Sequence, residues 1–116
     1  MAYTPRLLSG STNGRPIKVA QTATAGTLIH TAVTGTSDID TITLDACNTS
    51  AGAVLLTIEW GGVSAPDDTM EVSLPADSGW VRVVSGLRLQ NSLVVRAFAA
   101  SANVIIINGF VNRYAV

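Results

Sequence analysis

Charge is scarce in this sequence. Only 13% of its 116 residues are Asp, Glu, Lys or Arg, about half of the ~25% usual in globular domains. Thr, Ser, Ala and Asn stand in their place. A surface this poor in charge points to one that faces other protein, because interface cores are depleted in Lys and Glu. Six of the seven basic residues are Arg (Arg6, Arg15, Arg82, Arg88, Arg96, Arg113) and the seventh is Lys18. Arg suits interfaces because its planar fork pairs well and holds water weakly. A plain compositional bias toward Arg is the alternative.

Other absences each bear on a class of function. Net charge is −1 and the basic residues are scattered, so there is no basic patch or stripe for nucleic acid. No apolar run approaches the ~18 residues of a membrane-spanning helix. The opening MAYTPRLLSGSTNG has no hydrophobic segment of a signal peptide, so the expectation is an intracellularly made, soluble product. Cys47 is the single cysteine, which rules out an intrachain disulfide. On an expected strand it reads as a small buried hydrophobe.

Groups able to do chemistry are equally sparse. His30 is the only histidine, and with no second His and no third ligand nearby a metal site is not expected. A Ser-His-Asp triad stays open from sequence alone, but there is no GxSxG elbow and a sandwich of this length leaves little room for a substrate cleft. Asp38 and Asp40 form a D-x-D, and Asp67-Asp68 follow Pro66. Loop carboxylates can hold calcium, but the EF-hand spacing is absent and Asp also favours turns for its own backbone bonds. Asn48-Thr49-Ser50 matches the N-glycosylation sequon; without a secretion signal it reads as loop composition. No cofactor, no metal and no catalytic residue is therefore expected, and the chain does not read as an enzyme.

What is present is a period of two. Segments 16–21, 26–33, 39–47, 53–60, 69–74, 79–84, 92–100 and 103–114 alternate apolar and polar residues and are rich in Val, Ile and Thr. Such alternation marks half-buried strands. In 39–47, Ile42, Leu44 and Ala46 share one face and Thr41, Thr43 and Asp45 the other. In 53–60, Val54, Leu56, Ile58 and Trp60 oppose Thr57 and Glu59. Gly61-Gly62, Pro66, Pro75 and Gly86 punctuate the pattern. CNTSAGA (47–53) reads as the turn of an antiparallel hairpin. Asn108-Gly109 could be a hairpin turn, but the alternation runs through it, so a bulge in one long strand is preferred. About eight short strands and no helix predict an all-β chain, an antiparallel β-sandwich of jelly-roll or immunoglobulin-like order, with the jelly roll preferred. Residues 1–14 form an arm ending in the turn Asn13-Gly14, and 15–116 a single domain.

The stretches ITLDACNTSAGAVLLTIEWGG and SGWVRVVSGLRLQNSLVVRAFAASANVIIINGFVNRYAV resemble small virion structural proteins of tailed bacteriophages. The functional class they are most similar to is the capsid decoration, or cement, protein. The likeness covers about residues 39–116 and lies in texture and in phrases such as ACNTSA, TIEWGG and NSLVVRAFAA. It implies a β-sandwich on the outer surface of a virion that bridges subunits of the major capsid protein of a phage. It also implies a homo-oligomer of dimeric or trimeric symmetry. On that reading the contact residues are Tyr3, Arg6, Leu7 and Leu8 of the arm, and deleting residues 1–14 should spare folding but abolish particle binding.

Three other readings compete. A neck, tail or fibre-base component would share the fold and composition. A carbohydrate-binding module would expose Trp60 or Trp80 on a flat face, since aromatic faces take the apolar faces of sugar rings. A small β-sandwich enzyme would need a cleft around His30.

Overall fold

The computed structural model describes residues 2–116, and among them it is all β. Nine strands follow in order: β1 (Ala2–Arg6), β2 (Ile17–Lys18), β3 (Thr27–Thr31), β4 (Ile39–Asn48), β5 (Val54–Trp60), β6 (Thr69–Leu74), β7 (Val81–Leu89), β8 (Val94–Ala99) and β9 (Ile105–Ala115). Eight coincide with the alternating segments of the sequence. The ninth, β1, comes from the arm, where Pro5 interrupts any alternation.

Two antiparallel sheets pack as a sandwich. One has the order β1-β9-β4-β7, with β2 also pairing with β9, and the other has the order β3-β8-β5-β6. Their facing sides carry the in-phase residues: Ile42, Leu44 and Ala46 from β4, Leu56 and Ile58 from β5, Val95, Ala97 and Ala99 from β8, Ile105, Ile107 and Val111 from β9. Each Leu, Ile or Val fully buried there is worth roughly 1.5–3 kcal/mol. Period-two alternation thus becomes one shared core.

From β2 onward, only β5 and β6 are consecutive strands paired in one sheet. Every other connection carries the chain from one sheet to the other. The expected hairpin at CNTSAGA is therefore not formed. β4 pairs with β7 and β9, while β5 pairs with β6 and β8, so 47–53 is a crossover between layers. Both arms still feed the core, which is all that alternation could specify.

The expected bulge is also relocated. β9 runs from Ile105 to Ala115 in unbroken register with β4, straight through Asn108-Gly109. The shifts lie in the β4–β7 pairing, between Ile42 and Leu44 and between Leu44 and Asp45. Gly86 sits there with φ +66, and its N–H donates to Thr43 Oγ1 at 3.2 Å. It is a bulge residue inside β7 and not a strand end, because a glycine takes positive φ without steric cost. Gly109 is required for a different reason. A Cβ there would meet the Thr43 carbonyl oxygen at 2.0 Å.

Residues 1–14 do not form a separate arm. β1 pairs antiparallel with the C-terminal half of β9, from Ala2 opposite Ala115 to Arg6 opposite Val111. Leu8 is 2% exposed and belongs to the core cluster. Asn13 (φ 53) and Gly14 (φ 85) do make the anticipated turn. The boundary at residue 14 therefore falls inside the sandwich domain. Cys47 is only partly buried, on the outward side of β4.

Candidate functional site

The four arm residues singled out from sequence separate into two groups. Tyr3, Arg6 and Leu7 are exposed, Tyr3 to 65% and Leu7 to 58%. All five residues of β1 are exposed, so neither of its faces is covered by the second sheet. The Tyr3 ring lies against Tyr114 with centroids 5.0 Å apart and planes tilted by 55°. Leu8 is the exception. It points into the core and cannot touch a partner. The next residues are fixed as well, since Gly10 N–H donates to the Ile29 carbonyl at 2.9 Å. A Cβ at Gly10 would press to 2.4 Å from the Leu28 carbonyl oxygen.

Behind the arm lies a buried polar cluster. The register of β3 on β8 shifts between Leu28 and His30. The shift turns Leu28 outward while Ile29 and His30 both go inward. His30 is 1% exposed. Its Nδ1 accepts the backbone N–H of Ser9 at 3.0 Å, and its Nε2 lies 2.8 Å from Asp40 Oδ2. The proton therefore sits on Nε2, the tautomer that serves both bonds. Asp40 is itself fully buried. Its Oδ2 also accepts Val33 N–H at 3.0 Å and Arg113 Nη2 at 3.0 Å, and its Oδ1 accepts Arg113 Nε at 2.7 Å. Burial opposes ionisation of Asp40, but the hydrogen bonds from Arg113 and His30 outweigh it and hold the carboxyl below its usual range. Hydrogen bonding to Asp40 likewise raises the Arg113 guanidinium.

Ser9, His30 and Asp40 meet here, but not as a nucleophilic triad. Ser9 reaches the imidazole through its backbone N–H, and its Oγ instead accepts Thr31 N–H at 2.7 Å. A triad needs the hydroxyl on the imidazole. What the cluster does is mechanical. It joins the end of the arm, β3 of one sheet, and β4 and β9 of the other.

The remaining sequence candidates find structural places too. Asn48 is fully buried. Its Nδ2 reaches the carbonyls of Gly52, Leu74 and Pro75, and its Oδ1 accepts Ser50 N and Oγ. The sequon asparagine is therefore closed to a glycan in the folded chain. Asp38 Oδ1 accepts Val116 N–H at 3.1 Å and Asp68 Oδ2 accepts Ser64 N–H at 3.2 Å, so both carboxylates close loops. Among the described residues no three His, Cys, Asp or Glu converge as a metal site. Glu59 points outward from β5 as the alternation predicts, yet it is fully buried. Segment 20–26 lies over it, with Gly26 N–H donating to Oε1 at 2.7 Å and Thr24 Oγ1 to Oε2.

The two tryptophans differ. Trp60 packs partly buried against the core. Trp80 is 50% exposed, and so is Phe110 to 47%. They flank an open cleft of about 260 Å³ on the outer face of the β1-β9-β4-β7 sheet, with Asp45, Asn108 and Gly109 also lining it. Register explains the grouping. Asp45 of β4 lies opposite Arg82 of β7 on one side and Asn108 of β9 on the other. Arg82 Nε donates to Asp45 Oδ1 at 2.9 Å and Nη2 to Oδ2 at 3.3 Å, which raises the guanidinium's proton affinity. A wider cleft of about 480 Å³, lined by Ser11, Thr12, Arg15 and Lys18 among others, lies beside β2.

Asp40 and Asn48 do carry a signal in the sequence: both fall in phase with Ile42, Leu44 and Ala46. A polar residue at a core phase needs buried partners. Phe110 carried none, because its neighbour across the cleft, Trp80, is thirty positions away.

No protein-family model matches this chain, no curated protein is significantly similar to it, and no solved structure matches it.

Proposed function

We propose that this protein is a non-enzymatic virion structural protein that binds the outside of a phage capsid and stabilises contacts between major capsid subunits. The observation that carries the reading is the state of β1. It is an edge strand with every residue exposed, flanked by exposed Leu7 and by the Tyr3–Tyr114 pair, on a chain with about half the usual charge. An exposed edge offers unpaired backbone groups to a neighbouring chain, and strand addition converts them into affinity. Tyr3, Arg6 and Leu7 are the contact residues on this reading.

The rest of the chain supplies the stiffness that such a role demands. The arm is pinned through Leu8, Ser9 and Gly10, so a load on β1 passes directly into both sheets. The strand orders β2-β9-β4-β7 and β3-β8-β5-β6 interleave early and late strands, which fits the jelly-roll form of the sandwich. Many copies binding a closed lattice stabilise it by mass action, each by adding buried area across a seam. A homo-oligomer, dimer or trimer, is part of the proposal.

The test is the copy number of this chain in purified particles from its source, by quantitative mass spectrometry against the major shell protein. A count comparable to the shell protein is expected. A small multiple of the tail symmetry would move the protein to the neck or tail. Absence from particles would end the virion reading.

A further inference from the structure

We propose that the cleft between Trp80 and Phe110 binds one ring of an uncharged saccharide. This inference does not rest on the capsid reading, since the cleft lies on the outer face of the sheet and β1 on its edge.

The chemistry of the lining is what identifies the ligand. A pyranose has two apolar C–H faces and a rim of hydroxyls, each of which both donates and accepts. Two of the residues lining the cleft are aromatic and about half exposed, Trp80 to 50% and Phe110 to 47%. Two large exposed aromatics lining one cleft bring apolar surface together, as ligand-binding grooves do, and their faces suit a C–H face. The other side chains lining it, Asp45 and Asn108, are polar. Asp45 offers carboxylate acceptors and Asn108 an amide from directly opposed register positions on adjacent strands, and Arg82 lies behind Asp45, holding its carboxylate. Asn108 Oδ1 already accepts Gly109 N–H at 2.9 Å, so the amide presents its Nδ2 donors to a ligand. Acceptors and donors side by side match the adjacent hydroxyls of one ring.

Charge narrows the class. Arg82 compensates Asp45 at 2.9 Å, so the lining carries no unpaired charge to attract a sulfated or uronic sugar. A protein surface is a poorer occupant than a sugar. Covering a half-exposed ion pair with apolar side chains would desolvate it without return, whereas sugar hydroxyls replace the lost water. The volume of about 260 Å³ lies just below the ~300–1,000 Å³ of drug-sized ligand sites, which sets the ligand at one ring, as part of a longer glycan.

The experiment is a glycan array carrying neutral hexose and N-acetylhexosamine oligosaccharides beside sulfated and uronic ones. The strongest binder is then titrated against the full chain by tryptophan fluorescence. Retention of neutral glycans is expected. Trp80→Ala and Phe110→Ala should each lose at least about tenfold in affinity, the scale of one aromatic contact, while Trp80→Tyr keeps most of it. Asp45→Asn should weaken binding with the thermal midpoint little changed, as suits an exposed pair. Tyr3→Ala serves as the control and should bind as the parent does. The proposal is overturned if no glycan is retained, if only acidic glycans are, or if Trp80→Ala binds unchanged. It is equally overturned if Trp80 fluorescence tracks protein concentration alone, which would show a second copy in the cleft.

Discussion

His30 Nε2 and Asp40 Oδ2 lie 2.8 Å apart with both side chains out of water, and they belong to different sheets. The contact is one of the few polar joints across an otherwise apolar interlayer. Breaking a buried pair leaves an uncompensated polar group, which costs far more than the bond itself contributes.

Stability should therefore depend on Asp40 with a definite sign. Its folded carboxyl is held below the usual range, so its contribution is fully present above the unfolded value of about 4. The contribution is lost as pH falls through the lower folded value. Denaturant titrations between neutral and acid pH should show that decline. Asp40→Asn should lower stability near neutrality by about 3–5 kcal/mol and flatten the acid limb. An unchanged acid limb in the variant would show that other carboxylates govern it.

The imidazole also fastens the arm. Ser9 N–H should be among the slowly exchanging amides, because it donates to a buried nitrogen. In His30→Ala its protection should fall toward that of β1, together with Thr31 N–H, which depends on Ser9 Oγ. Hydrogen exchange by NMR reads both amides. Continued protection in the variant would mean that Leu8 and Gly10 alone hold the segment.

Leu7 and Leu8 should part company. Leu8→Ala should cost about 3 kcal/mol by chemical denaturation, as for a buried leucine. Leu7→Ala should cost under about 0.5 kcal/mol and, on the capsid reading, weaken particle binding instead. Deleting residues 1–14 removes Leu8 and Ser9 and should unfold or cripple the domain. Deleting 1–6 is the informative truncation: folded by circular dichroism, and defective in binding particles.

Gly109 and Gly52 form a matched pair of opposite outcome. An alanine Cβ at 109 would fall 2.0 Å from the Thr43 carbonyl oxygen, while at 52 it meets nothing within 4 Å. Gly109→Ala should cost about 1–3 kcal/mol, as overpacking does. Gly52→Ala should be neutral or slightly stabilising, since it restricts the unfolded chain. Thermal melts of the two variants decide this.

Asn48→Ala should cost about 3 kcal/mol, because it leaves carbonyls of Gly52, Leu74 and Pro75 without their donor. Expressed in a secretory pathway, the folded chain should carry no glycan at Asn48. Intact mass spectrometry checks both the protein and its modification.

Local pattern was enough to reveal most of the strands. In β4, β5, β8 and β9 the alternation of Ile, Leu and Val with Thr and Asp names the inward residues, because successive side chains on a strand face opposite ways whatever it pairs with. The turn at Asn13-Gly14 was legible for a similar reason, since these two residue types tolerate positive φ. β1 was not legible as a strand: its pairing comes from β9, more than a hundred positions away.

Pairing partners were beyond sequence throughout. Alternation says which face is buried but not which strand lies alongside, so CNTSAGA reads as a hairpin turn although it is a crossover. The inward turn of His30 depends on a register shift against β8, and the burial of Glu59 depends on a segment folded over the outer face of its sheet. The Trp80–Phe110 cleft exists only because β7 and β9 flank β4. Composition and period determined an all-β, low-charge sandwich with a single apolar core, since those follow from solvation and from backbone geometry residue by residue. The joint between the layers, the pinned arm and the aromatic cleft were decided by tertiary structure, because each is made by residues that the chain brings together only when the sheets close.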